Sequence, residues 1–132
     1  RQICKKVYKM PILYAFYNQG NIKSAITDED VLFTWKKFFS KNKNWKDFAS
    51  DMTYDKYLKI TDKQHLAKAK IMPIKYLKSS GKGFFVEKEN FALALNENLN
   101  DIIKNKVFVD NMKDVLEYRT IEYYRRRYNM EK

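Results

Sequence analysis

A mostly helical α+β domain is the fold class this sequence predicts: several helices, one short β-hairpin and a long helix at the C-terminal end. Three observations predict it. Apolar residues recur at three- and four-residue steps in several stretches, the spacing of one helix face. One stretch, Phe84 to Leu95, instead reads as two short apolar runs around a polar turn, the pattern of paired strands. And 16% of the residues are aromatic and 45% hydrophobic, with 10 Tyr, 9 Phe and 2 Trp that need an interior. A chain of 132 residues has the length for a single domain with a modest core.

The elements follow in order. Ile3, Val7, Met10, Leu13 (or Tyr14) and Tyr17 fall on one helical face, with Pro11 inside the run. Proline either kinks one helix or opens a new one, where its missing N–H costs little; a helix from Pro11 to Asn18 is the favoured reading. Gly20 is the expected left-handed cap. Ile22 to Ile26 is apolar at alternate positions, a small strand or a loop. Thr27-Asp28-Glu29-Asp30 then places a capping hydroxyl and first-turn acids ahead of Val31, Leu32, Trp35, Phe38 and Phe39. That predicts a helix from Asp28 to Ser40 with Trp35 turned inward. Lys41 to Asn44 breaks it, and Trp45 to Ala49, Tyr54, Tyr57 and Leu58 read as short helical turns closing over the core.

Thr61 to Leu95 is the stretch around which the rest is organised. A basic helical segment carries Lys63, Gln64, His65, Lys68 and Lys70. Pro73 interrupts it, and a second helical turn follows through Tyr76 and Leu77. Met10-Pro11-Ile12 and Met72-Pro73-Ile74 echo each other, and both read as proline starting a helix after an extended residue. Ser79-Ser80-Gly81-Lys82-Gly83 ends the helix. Phe84-Phe85-Val86 and Phe91 to Leu95 then flank Glu87-Lys88-Glu89-Asn90 as a hairpin. Alternation puts Phe91, Leu93 and Leu95 on a buried face, Ala92 and Ala94 on the other, and only one of Phe84 and Phe85 in the core. Asn96 to Asn98 cap a last helix, expected from Leu99 to about Tyr128, with Ile102, Val109, Leu116 and Tyr123 at steps of seven. Asn105 and Arg119 on the intervening seam argue against a continuous coiled coil.

Composition narrows the function. The formal net charge is +11, an excess that attracts polyanions, chiefly nucleic acid, or an anionic membrane face. Cys4 is the lone cysteine, which excludes an internal disulfide and a cysteine-based zinc cluster and fits a reducing, cytoplasmic setting. No apolar run of about 18 residues exists to span a bilayer. Lys5, Lys6 and Lys9 interrupt any signal-peptide core. A chain starting at Arg1 and not at a methionine reads as a piece of a longer protein.

Catalytic signatures are missing. His65 is the sole histidine and is expected at the surface or in a groove. It lacks the partners of a transition-metal site. Asp51, Asp55 and Asp62 are irregularly spaced among lysines, Gly81-Lys82-Gly83 lacks Walker A spacing, and Ser79 and Ser80 have no histidine–acid pair. No cofactor and no enzyme activity are expected of this stretch by itself.

Binding constellations are richer. Lys63, Gln64, His65, Lys68, Lys75, Lys78, Lys82 and Lys88 run through the helix, turn and hairpin. Lysines there suit phosphates, and Gln64 or Asn90 suits base edges. The plainer reading is a solvated face on which Glu87 and Glu89 partly cancel the charge. Tyr118, Arg119, Tyr123, Tyr124, Arg125, Arg126, Arg127 and Tyr128 form a second constellation. It suits stacking on single strands, or equally a tyrosine core face with Arg125, Arg126 and Arg127 at a helix end.

Pro11-Ile12-Leu13-Tyr14-Ala15-Phe16, Thr27 through Phe39, and Pro73-Ile74 to Phe84-Phe85 together resemble a small winged-helix module spanning about residues 11–95, with 96–132 as the appended helix. Similar modules occur as accessory domains of bacterial superfamily-2 helicases and of restriction or phage-defence proteins. The resemblance implies a winged-helix-like fold and DNA binding, with ATP hydrolysis left to the remainder of a parent chain. No Walker A, Walker B or arginine-finger segment stands in this sequence. The expected partners are DNA, duplex favoured, the remainder of that parent chain, and a second copy through the C-terminal helix, with no membrane. A protein-interaction or oligomerisation module is the alternative.

Overall fold

Helix α1 (Lys6–Phe16) opens the computed structural model, which describes residues 6–18, 21–80, 83–115 and 117–118. The helix runs straight through Pro11, where a new helix is expected from the proline rule. An interior proline loses one backbone hydrogen bond and costs about 3 kcal/mol. Yet Tyr8, Met10, Ile12, Ala15 and Phe16 are all buried along this helix, and burying that much apolar surface outweighs the local cost. The Thr34 hydroxyl donates to the Pro11 carbonyl oxygen at 2.9 Å, pinning α1 to the next helix.

The stretch after α1 forms three short strands. β1 (Tyr17–Asn18) and β2 (Asn21–Ile22) pair antiparallel, and β3 (Ala25–Ile26) enters a separate sheet. Gly20 lies outside the described residues. α2 (Asp28–Ser40) has the expected bounds. Its capping box is complete: the Asp30 N–H donates to Thr27 Oγ1 at 3.1 Å, and the Thr27 N–H donates to Asp30 Oδ2 at 2.9 Å. Burial alone would raise the Asp30 pKa. The Thr27 backbone N–H and the Lys23 ammonium at 3.0 Å outweigh it and hold the carboxyl below its ordinary value.

Residues 41–61 are the aromatic connector, made of a 3₁₀ turn (Asn44–Asp47) and α3 (Tyr54–Leu58). Asn42 turns the chain in the left-handed region, with φ 53°. Buried Asn44 donates through Nδ2 to the Phe38 carbonyl at 2.8 Å, so the end of α2 is satisfied from inside. Phe48 and Tyr57 point into the core, and the Tyr8 hydroxyl donates to the Phe48 carbonyl at 3.0 Å.

The basic stretch is one helical segment over residues 62–80: α4 (Asp62–Ala69), a π turn (Lys70–Ile74) and α5 (Lys75–Ser80). Pro73 is expected to interrupt it and Met72 to be extended, but both lie within the π turn. The Lys75 N–H reaches back five residues to the Lys70 carbonyl, and the widened turn accommodates the proline ring without ending the helix. Both Met-Pro-Ile sequences therefore sit inside helices.

β4 (Phe85–Val86) and β5 (Leu93–Leu95) form the expected hairpin, and β3 joins it to give a three-stranded antiparallel sheet ordered β3-β5-β4. Phe85 pairs with Leu95, Val86 with Ala94, Ala25 with Ala94 and Ile26 with Leu93. The molecule is thus a mostly helical α+β fold. Burial on β5 departs from simple alternation: Ala92, Leu93 and Ala94 are all buried, whereas Phe91 is 37% exposed. As the central strand, β5 is covered on both faces, and Phe91 belongs to the turn. Of the two phenylalanines, Phe85 packs on Phe16 with ring centroids 5.7 Å apart, while Phe84 faces outward.

Past the sheet, the last helix begins later than Leu99. Two 3₁₀ turns, Glu97–Leu99 and Ile102–Lys104, come first. Asn105 then caps α6, helical over residues 106–115, by accepting from the Phe108 N–H at 3.1 Å. Asn105 is therefore a cap and not a seam residue. Val109 is buried, but Ile102 lies outside α6 and is exposed. The expected Leu116 and Tyr123 seam positions fall outside the described side chains.

Candidate nucleic-acid interface

Residues 62–80 separate into two rows at steps of four. His65, Ala69, Pro73 and Leu77 are buried, and Lys63, Ala67, Ile71, Lys75 and Ser79 are exposed. A row at steps of four drifts about 40° per step around an ideal α-helix. The π turn, with more than four residues per turn, takes that drift back. Both rows therefore stay on their own sides for the whole segment.

Several contacts hold the segment in place. Its start is closed by a second capping box: the Gln64 N–H donates to Thr61 Oγ1 at 3.2 Å, and the Thr61 N–H donates to Gln64 Oε1 at 2.9 Å. Ion pairs at 2.7 Å (Lys36–Asp62) and 2.8 Å (Lys70–Asp28) tie the start and the middle of the segment to α2. The Lys36 hydrogen bond is the main reason that the Asp62 carboxyl titrates below its ordinary value. Exposed pairs of this kind set the register of two helices more than their stability.

His65 is a correction to the expected binding surface. It is 3% exposed, edge-on to Phe48 and Tyr57 at centroid distances of 5.2 and 5.6 Å. The aromatic connector covers it. Its Nδ1 has no hydrogen-bond partner among the described residues, and burial, then the nearby Lys36 charge, lower its pKa against the pull of Asp62. A buried neutral imidazole among rings does not meet a phosphate.

The other expected residues distribute unequally. Lys63 and Lys75 stand on the outward row, and neither forms an ion pair among the described residues. Lys68 is half-buried, its ammonium 4.6 Å from the Phe48 ring centroid and 5.3 Å from that of Tyr8. Gln64 is exposed, but its amide oxygen is committed to the capping box. Lys78 and Lys88 come together across a cavity of about 270 Å³ between the helical segment and the hairpin turn. Glu87 and Glu89 line the same cavity, and Lys88 leans over Phe91 at 5.1 Å. Asn90 holds the turn in the left-handed region at φ 70°. Lys82, Arg125, Arg126 and Arg127 lie outside the described residues.

Ala67 and Ile71 were not among the expected binding residues, yet they form the middle of the outward row. Ile71 is 71% exposed and stands on the row between Ala67 and Lys75. The signal was present as a period of four, hidden by the assumption that Pro73 ends the helix. A second cavity, about 690 Å³, opens between β2 and the start of α6, with Lys104 and Lys106 at its rim.

Among the described residues no group of three His, Cys, Asp or Glu is placed to hold a metal, and no helix is long and apolar enough to cross a membrane. No protein-family model, curated protein or solved structure matches the chain.

Proposed function

We propose that this domain binds duplex DNA as an accessory, non-catalytic part of a larger protein, using the outward row of residues 62–80. The observation that carries the reading is that row: Lys63 and Lys75 stand on it on either side of Ala67 and Ile71, without an ion pair among the described residues, in a chain of net charge +11. The element order adds support. Apart from the β1–β2 hairpin and the connector, it is helix, strand, helix, helix, strand, strand, the order of a winged-helix module. In helix-turn-helix modules the second helix of the pair enters the major groove; here that helix is the 62–80 segment, packed on α2. A cytoplasmic setting, with Cys4 as the chain's one thiol, fits this reading.

The test is a polarisation titration of a 20-base-pair duplex across salt. Affinity should fall steeply with salt, and Lys63→Glu with Lys75→Glu should lower the slope of log K against log salt by about two. Unchanged affinity and slope in the double variant would reject the surface. Docking to protein through α6 is a second reading, favoured by Val107 and Val115 at 69% and 45% exposure. Concentration-dependent self-association in sedimentation would support it.

A further inference from the structure

We infer that the outward row reads thymine, through apolar contact of Ala67 and Ile71 with the C5-methyl groups in the major groove. This rests on the duplex-binding reading and adds to it the feature recognised. The sequence along the row is Lys63, Ala67, Ile71, Lys75, Ser79: a cation, a methyl, a large aliphatic group, a cation, a hydroxyl. Lys63 and Lys75 are separated by roughly 18 Å at the rise of a helix, more than the width of a major groove, about 12 Å. Two lysines at that separation reach phosphates on both walls, which sets Ala67 and Ile71 over the base edges between them.

What the row lacks is as informative as what it holds. Bidentate reading of guanine requires arginine or lysine over the bases, and reading of adenine requires a free asparagine or glutamine amide. The row's lysines flank Ala67 and Ile71 and are engaged by the two phosphate walls. The one amide side chain on the segment, Gln64, has its oxygen engaged by the Thr61 N–H at 2.9 Å and is therefore half withdrawn from adenine. Lys70, beside Ile71, is held by Asp28 at 2.8 Å. Ile71 is then the largest apolar group on the outward row, and the thymine methyl is the apolar feature of a groove floor. The turn of the hairpin carries two carboxylates, Glu87 and Glu89, around Lys88, which oppose its approach to phosphates.

The experiment compares three 20-base-pair duplexes in the same salt: one of A·T pairs, the same duplex with uracil for every thymine, and one of G·C pairs. Uracil removes the methyl and leaves the phosphates and the minor-groove edges in place. The thymine duplex should bind about fourfold more tightly per thymine contacted, the ratio expected for burying one methyl. Ile71→Ala should compress the thymine-to-uracil ratio towards one, whereas Phe33→Ala, an exposed residue on α2, should keep it. Equal affinity for thymine and uracil duplexes, with binding still steep in salt, would overturn the thymine reading and leave the duplex reading standing. A ratio that persists in Ile71→Ala would also overturn it. Absence of binding to all three duplexes at low salt would overturn both.

Discussion

The helical segment at residues 62–80 and the hairpin that follows it both carry lysine, five in the helix and Lys88 in the hairpin, but they present it very differently. The helix holds its side chains on two straight rows, one wholly buried and one wholly exposed, because core packing fixes one row and the π turn keeps the other in line. The hairpin turn has no such constraint. Its Lys88 lies over the Phe91 ring between two exposed carboxylates, so the local field is mixed. The lesson is that a lysine count along a chain becomes a cationic surface only where a rigid element spaces the lysines and no acid stands beside them.

The largest effect should come from removing what holds the helix against the core. Trp35 is fully buried, with ring centroids 4.9 Å from Phe39 and 6.2 Å from Phe48, and Trp35→Ala should destabilise the domain by about 3–5 kcal/mol in urea unfolding. A midpoint near that of the wild type would mean that this core does not support the helix.

Next in size, the contrast inside the hairpin separates strand from turn. Leu93→Asp places an unpaired carboxylate at a fully buried site on the central strand and should abolish cooperative unfolding. Phe91→Asp, one turn position away at 37% exposure, should leave a folded domain. Circular dichroism melts of the two variants would reverse the assignment if Phe91→Asp were the more damaging.

A smaller effect is expected at the first turn of the helix. Thr61→Ala removes the hydroxyl that accepts the Gln64 N–H and should cost about 1 kcal/mol, with faster amide exchange at Lys63, Gln64 and His65. Exchange unchanged there would show that the ion pair to Lys36 suffices to hold the end.

His65 gives the helix a pH response. Its pKa is lowered in the folded state from 6.5, so the unfolded chain binds the proton more readily. Stability should therefore be at its plateau above about pH 6.5 and decline as the pH falls towards the folded-state value. Lys36 and the buried rings of Phe48 and Tyr57 disfavour the imidazolium, and Asp62 opposes them only in part. Urea midpoints between pH 7.5 and 5 for the wild type and His65→Phe should converge towards neutrality and separate in acid. The smallest effect belongs to the turn: Lys88→Ala should change stability by no more than about 0.5 kcal/mol.

Much of this architecture was legible in the sequence, and the reasons differ by element. α2 is written in local chemistry, with a hydroxyl cap, three first-turn acids and an apolar face, so its bounds match the expectation at both ends. The hairpin was legible from its apolar runs and polar turn. What failed was proline. The rule that proline opens or ends a helix is local, and at both Pro11 and Pro73 burial of the surrounding residues overrode it. His65 was misplaced because the aromatic connector before it folds back to set Phe48 and Tyr57 against the ring, a tertiary contact that the local spacing does not show. Ile71 was missed as a binding candidate because an isolated isoleucine reads as core until its row is known to face outward.

The π turn also dictates where the chain tolerates a change of length. A π turn is in effect a residue inserted into an α-helix. Deleting any one residue between Lys70 and Ile74 would close it to ordinary α geometry and rotate everything beyond by about 100°. Leu77 would swing out of the core and Lys75 off the outward row, so the fold and the surface would fail together. Extra residues in the exposed turn at Glu87 to Asn90 would only lengthen a loop. Insertions engineered or acquired in this domain should therefore accumulate in the hairpin turn and be excluded from the proline-bearing helix, although that helix also faces solvent along one entire side.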